Sequence, residues 1–372
     1  MNLKNKRGIT LIALVITIII LLILAGIGIA TLTGDNGLFT RAQQAKEKTQ
    51  ESQERENETI ENYIAQIDEI SDENTLVNKV KSGEIKIGDY VKYNIDVSRQ
   101  QNIDDLIELL EKYSGTSYNV PESLKQENLN WRILDVKDGK VRIINDTPTI
   151  SKIFLNGYNG YNNGVFLIDT VCSKLYSSEL SYDVKSIKIE DIQEKMKTDY
   201  KNIDSDYDKT YPMSKDFKYP SILADERGQV VNDIIGNKYG LSNQDKIVEQ
   251  TEINTATSLK IKKTYWRKLM EKEDFYDPIY YEIFMNKNNE NYNSYWISSR
   301  CIDLNMEKNS AVFGIRFIYA GEVCTNGLYY TTGYSQTIKP SLRPVITLKA
   351  DTIVDIKNLE DGSSAETAYV LK

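Results

Sequence analysis

Residues Gly8 to Gly34 contain no charged side chain, and they directly follow a basic leader that holds Lys4, Lys6 and Arg7. A helix rises about 1.5 Å per residue, so Ile9 to Leu32 would be roughly 36 Å long. This length exceeds the ~30 Å hydrocarbon layer of a bilayer, and the run is therefore predicted to span a membrane once. Because the cations precede it, we expect a cytoplasmic leader and an extracellular carboxyl-terminal head at the cell membrane.

Two ordinary alternatives use the same residues. The run could be an uncleaved anchor, or it could be a secretory signal cleaved after the small residues Gly28-Ile29-Ala30. The apolar core of a secretory signal is about 7–15 residues long, which is shorter than this run. Both alternatives stay open at this point.

The junction Lys6-Arg7-Gly8-Ile9-Thr10-Leu11-Ile12 resembles the class III signal of type IV pilin-like proteins. The resemblance implies that a prepilin peptidase cuts between Gly8 and Ile9 and methylates the new amino terminus. It also implies other pilin-like subunits as partners, in a pilus or related secretion filament. The family usually has Glu at the fifth mature position, where this chain has Ala13. In a filament that Glu can pair with the amino terminus of a neighbour, so Ala13 favours a minor or tip subunit over a major pilin.

Composition excludes several classes of function. The 372 residues carry a formal net charge of -8, which disfavours nucleic-acid binding. The chain has no His, so the commonest general base and the commonest transition-metal ligand are missing. We predict no enzymatic activity, no cofactor and no metal, although an extracellular hydrolase remains an alternative because carboxylates are plentiful.

The predicted fold class is α+β, with a long hydrophobic pilin-like helix followed by a strand-rich head. The predicted organisation, in chain order, is a cleaved leader (1–8), a membrane or filament helix (9–33), a helical stalk (34–71), a first part of the head (72–200), a polar insertion with loops (201–260) and a strand-rich part (261–372).

Local patterns predict several elements of the head. Asp138-Gly139 lies between two apolar runs and predicts a two-residue hairpin turn. Ile103 to Tyr113 reads as a short helix. Asn159 to Gly164 reads as a Gly/Asn loop before a helix from Val165 to Tyr176. Pro344, within a strand pattern, suggests an edge strand.

The last third of the chain carries three strand-like motifs: Tyr-Trp-x-Ser-Ser-Arg from Tyr295, Phe-Gly-Ile-Arg from Phe313, and Leu-Arg-Pro-Val-Ile from Leu342. Together they resemble the closing part of C-type-lectin-like bacterial domains, a fold shared by formylglycine-generating enzymes and some phage receptor-binding proteins. Those enzymes need a pair of active-site cysteines that nothing marks here. The resemblance therefore implies the fold and not the activity.

Three groups of residues in the head are candidates for a site. Cys301 and Cys324 could form a disulfide outside the cell, which would leave Cys172 free; alternatively all three are small buried residues. Residues that could hold a carboxylate, a sugar acid or another surface glycan or protein ligand are Trp296, Arg300, Arg316 and Arg343. The same residues could instead make internal hydrogen bonds and stacking contacts.

Two acidic stretches only partly match a calcium loop. Asp204, Asp206 and Asp208 alternate as such a loop requires, but Lys209 replaces the Gly that the loop needs. Asp303, Asn305 and Glu307 also alternate oxygen ligands. We expect both stretches to be solvated loops without calcium.

Overall fold

The computed structural model describes residues 6–33, scattered residues between 45 and 60, and the ranges 75–95, 103–116, 124–197, 203–213, 216–222, 244–249, 251–254, 259–285, 294–355 and 360–372. The chain divides into two compact units, Met1–Asp72 and Glu73–Lys372. Most of the predicted stalk, residues 34–71, lies outside the described residues.

The first unit contains helix α1, Lys6–Thr33. Its side chains are described only from Ala13 to Ile27. Nowhere in the described part of the chain is a helix both long and apolar enough to cross a membrane. The predicted fold class, which combined a strand-rich head with a long membrane-spanning pilin-like helix, is therefore wrong in its helical part.

The second unit is α+β and rich in strands. Its helices are α2 (Leu76–Ser82), α3 (Ile103–Tyr113), α4 (Gly157–Tyr176), α5 (Ile189–Gln193) and α6 (Pro278–Met285), with a 3-10 turn at Lys272–Asp274. Its strands are β1 (Tyr90–Lys92), β2 (Trp131–Lys137), β3 (Lys140–Asn145), β4 (Leu155–Asn156), β5 (Ser181–Ser186), β6 (Thr210–Met213), β7 (Lys218–Pro220), β8 (Glu252–Asn254), β9 (Leu259–Lys262), β10 (Lys268–Leu269), β11 (Tyr295–Asn305), β12 (Ser310–Tyr319), β13 (Glu322–Cys324), β14 (Tyr329–Tyr330), β15 (Thr337–Ile338), β16 (Pro344–Leu348) and β17 (Tyr369–Val370).

Two sheets organise this unit. The larger has the strand order β17-β1-β2-β3-β16-β5, and the smaller has the order β10-β13-β12-β11, with β14 also pairing β12. Only the β1–β17 pair of the larger sheet is parallel. Strands from residues 72–200 and from residues 261–372 therefore lie side by side in one sheet.

Helix α4 packs against both sheets, through β5, β11 and β12. The sequence predicted a loop at 159–164, but the helix begins at Gly157. Close packing explains the difference. A Cβ added at Gly160 would lie 3.0 Å from Leu155 Cβ, and one at Gly164 would lie 2.8 Å from Leu155 Cδ1. Close tertiary packing, and not a turn, therefore favours glycine at these two positions.

The structure confirms the predicted hairpin turn at Asp138-Gly139, which joins β2 and β3. Asp138 and Gly139 have φ values of 50° and 66°, the left-handed pair that a type I′ turn requires. Pro344, in contrast, is not on an edge strand, because β16 lies between β3 and β5. It is the first residue of β16, a position where the missing N–H removes no interior ladder bond.

The predicted polar insertion contains two short antiparallel sheets, β6–β9 and β7–β8. Thr210 pairs with Lys262 and Pro220 pairs with Glu252, so both sheets follow the same register. We call these two sheets together the ribbon. Tyr219 of this ribbon is fully buried and contacts Phe313 edge-on. The insertion is thus anchored on the main core.

Buried asparagines of α4 hold the base of this ribbon. Asn162 Oδ1 accepts from Ile222 N at 2.8 Å, and Asn162 Nδ2 donates to Thr251 O. Asn163 Oδ1 accepts from Val248 N at 2.8 Å, and its Nδ2 donates to Val248 O at 3.3 Å. The two asparagine side chains thus supply the hydrogen-bond partners that a neighbouring strand would otherwise give to these main-chain N–H and C=O groups.

Candidate functional site

A cavity of about 350 Å³ opens on the larger sheet, beside α5. We call it the charged groove and define it by its lining residues: Lys137, Arg142, Asp183, Lys185, Ser186, Lys188, Glu190, Asp191, Glu194, Val345 and Thr347. Val184 lies between the groove residues Asp183 and Lys185 in β5, Ile346 lies between Val345 and Thr347 in β16, and both belong to the main core. Since side chains alternate along strands, the groove lies on the sheet face opposite to that core.

Arg142 lies at the floor of the groove and is bound by two carboxylates. Its Nε and Nη2 donate to the two Asp135 oxygens at 2.7 and 2.6 Å, and its Nη1 donates to Asp191 Oδ1 at 2.5 Å. Lys195 Nζ lies 2.8 Å from Asp135 Oδ2. The Arg142 and Asp135 side chains are only 10% and 6% exposed. This is a buried, bidentate ion network, which fixes the side chains in one arrangement.

Burial and charge act in opposite directions on this network. Burial by itself would raise the pKa of Asp135, but the hydrogen bonds and charges of Arg142 and Lys195 outweigh it and hold that pKa below its ordinary value. Burial would likewise lower the pKa of Arg142, whereas Asp135 and Asp191 raise it. Both groups therefore stay charged at neutral pH, so Asp135 is not poised to transfer protons.

A second ion pair supports the groove at the start of α5. Lys188 Nζ lies 3.0 Å from Asp169 Oδ2, and Ser186 N donates to Asp169 Oδ1 at 3.0 Å. Burial raises the pKa of Asp169, and Lys188 opposes this shift. Asp191 Oδ2 accepts from Lys188 N at 2.9 Å, which fixes the first turn of the helix.

The rim of the groove consists of more open ion pairs. Lys137 Nζ lies 2.8 Å from Glu194 Oε1, and Lys185 Nζ lies 2.8 Å from Asp183 Oδ2. The four side chains are 40–51% exposed. Exposed pairs of this kind contribute about 0–1 kcal/mol each, so a ligand can replace them at small cost.

The residues that the sequence proposed for ligand binding lie in the interior. Trp296, Arg300, Arg316 and Arg343 are at most 1% exposed. Trp296 Nε1 donates to Ile153 O at 2.9 Å. The three guanidinium groups donate to main-chain carbonyls, for example from Arg343 Nε to Asn145 O at 2.9 Å. They tie strands and loops together, as the alternative interpretation of these residues expected, and they do not line the charged groove.

The cysteines are free and buried, so the disulfide suggested for Cys301 and Cys324 is not formed. Strand register explains this. Cys301 pairs with Gly314 of β12, and Cys324 pairs with Phe317 of the same strand. Gly314 and Phe317 are three residues apart, so the two cysteine side chains project from opposite faces of the sheet. A disulfide would require the backbone to move.

The remaining predicted sites lie apart from the groove. Gly8 and Ile9 belong to α1, but their side chains are outside the described residues; Ala13 is exposed. Asp206 and Asp208 pair with Lys209 and Lys262, and Asp303 lies 3.9 Å from Lys263. Within the described ranges, no group of three or more His, Cys, Asp or Glu residues could hold a metal ion.

Sequence reasoning missed the charged groove. Part of it could have been found, because a two-residue turn at Asp138-Gly139 places Asp135 directly opposite Arg142. Asp191 carries no such signal, since it is 49 residues from Arg142 in sequence. The available clue was an acidic and a basic residue at opposite positions of a hairpin whose neighbouring positions, Leu134, Val136, Val141 and Ile143, are apolar.

Comparison of the chain with protein-family profiles, with proteins of curated function and with solved structures gives no match. The resemblances to pilin-like proteins and to C-type-lectin-like domains therefore depend only on the residues quoted above.

Proposed function

We propose that this chain is a minor or tip subunit of the pilin-like class, which displays residues 73–372 as an extracellular binding head. The leader supports this proposal, because Lys4, Lys6 and Arg7 end at Gly8 in the arrangement that prepilin peptidases process. The head carries a preformed groove whose buried groups are ion-paired, which favours binding over catalysis.

The observation that carries the proposal is the exposure of α1. Eleven large apolar side chains between Leu14 and Ile27 are each 47–68% exposed. Burying a side chain of this size is worth about 1.5–3 kcal/mol relative to leaving it in water. A stretch with this much exposed apolar surface, placed directly after an export leader, favours association with the corresponding helices of other subunits.

Amino-terminal mass spectrometry of the protein purified from producing cells tests the proposal. We expect the mature chain to begin at methylated Ile9. The matched control is Gly8→Leu, which should retain Met1 because the residue before the cut is changed. A wild-type chain that retains Met1 would indicate an unprocessed binding protein that never assembles, and a start after Ala30 would indicate an ordinary secretory signal; either result contradicts the proposal.

A further inference from the structure

We propose that the charged groove binds a neutral, polyhydroxylated ligand, that is, an uncharged carbohydrate. The proposal rests on the function proposed above, because it names the class of ligand that the displayed head would bind.

Charge balance supports this choice of ligand. The groove is lined by four cations, Lys137, Arg142, Lys185 and Lys188, and by four anions, Asp183, Glu190, Asp191 and Glu194. Their formal charges cancel, so the lining of the groove gives neither an anion nor a cation a net attraction. A ligand with a net charge would meet like charges beside its partners.

Hydrogen-bond chemistry selects hydroxyl groups. Lysine ammonium groups only donate hydrogen bonds, and carboxylates only accept them. The rim places these two kinds of group in adjacent pairs, as in Lys185 with Asp183 at 2.8 Å and Lys137 with Glu194 at 2.8 Å. A hydroxyl both donates and accepts, so neighbouring hydroxyls on one ring can satisfy both members of a pair.

The construction of the groove fits this use. Its floor is rigid, because Arg142 is fixed by Asp135 and Asp191, whereas the rim pairs are about half exposed and can open. A volume of about 350 Å³ falls within the range of small-molecule sites.

A glycan array probed with the full chain tests the proposal. The neutral probes are oligosaccharides of cellulose, chitin and galactan. The charged probes are the anionic oligogalacturonates and the cationic chitosan oligomers. We expect binding among the neutral probes, and a loss of at least tenfold in affinity for the double variant Asp183→Asn/Lys185→Met, measured by calorimetry on the best probe.

The matched control is Asp206→Asn/Lys209→Met, which removes an equally exposed ion pair of 2.9 Å outside the groove and should keep full affinity. The proposal is overturned if no neutral probe binds, if charged probes are preferred, or if both double variants lose affinity equally. The start of the mature chain is measured separately, so failure of this inference is distinguishable from failure of the proposed function.

Discussion

Removal of the Arg142 guanidinium should destabilise the head strongly. In Arg142→Met, Asp191 loses its 2.5 Å contact and Asp135 loses both bidentate bonds, keeping only Lys195 at 2.8 Å. Both carboxylates remain where solvent barely reaches, at 9% and 6% exposed. Breaking a buried ion pair by removing one partner costs about 3–5 kcal/mol.

The assay is urea unfolding of the full chain, followed by the fluorescence of the buried Trp131, Trp266 and Trp296. With a urea dependence of about 3 kcal/mol/M, the expected loss lowers the unfolding midpoint by about 1 M or more at pH 7. The control is Lys209→Met, which removes an exposed ion pair and should cost no more than about 1 kcal/mol.

The pH dependence provides a second test. Arg142 and Lys195 depress the pKa of Asp135 in the folded protein, so this carboxylate stabilises the fold above its unfolded pKa of about 3.9. That stabilisation is lost as the pH falls through the folded pKa. Without Arg142 the carboxylate protonates more readily, so the difference between wild type and variant should shrink from pH 7 to pH 4. A variant within 1 kcal/mol of wild type at pH 7, or a difference independent of pH, would refute the reasoning.

Two further predictions concern packing and thiol chemistry. Gly160→Ala should lower stability by about 1–3 kcal/mol in the same urea assay, because its Cβ would lie 3.0 Å from both Leu155 Cβ and the main-chain oxygen of Ser114. Gly26→Ala, which meets no atom within 4 Å, should not lower stability, and equal effects of the two substitutions would argue against the close contact. A thiol reagent should leave all three cysteines unmodified in the folded protein, because they are buried and burial raises the pKa of Cys324 to about 12. In urea the same reagent should titrate three thiols, because all three cysteines are free. Only one titrated thiol after unfolding would reveal a disulfide.

Local patterns were sufficient for elements whose stabilising contacts lie close in sequence. The Asp138-Gly139 turn specifies the β2–β3 hairpin because both residues accept the left-handed conformation that the turn requires. Helix α3 was also predicted at Ile103–Tyr113, since its apolar face repeats within 11 residues. The predicted end of α4 at Tyr176 was also correct, because the apolar residues after Val165 repeat with helical spacing.

Other features depended on contacts between distant segments. The start of α4 was misread because Gly160 and Gly164 resemble a loop until Leu155 and Ile315 are placed against them. The cysteine pairing failed because strand register, and not spacing in sequence, decides which face a side chain occupies. Pro344 was misplaced because the order of strands in a sheet is not encoded near the proline.

The sequence by itself determined the acidic, histidine-free character of the chain, the basic residues that precede Gly8 and Ile9, and the short elements that local hydrogen bonds and turns specify. Only the tertiary structure decided that Arg142 and Asp191 meet, that Trp296 and the three arginines are interior, and that a charged groove exists. The physical reason is that burial and ion pairing join residues far apart in the chain, and such contacts leave no periodic signal in the sequence.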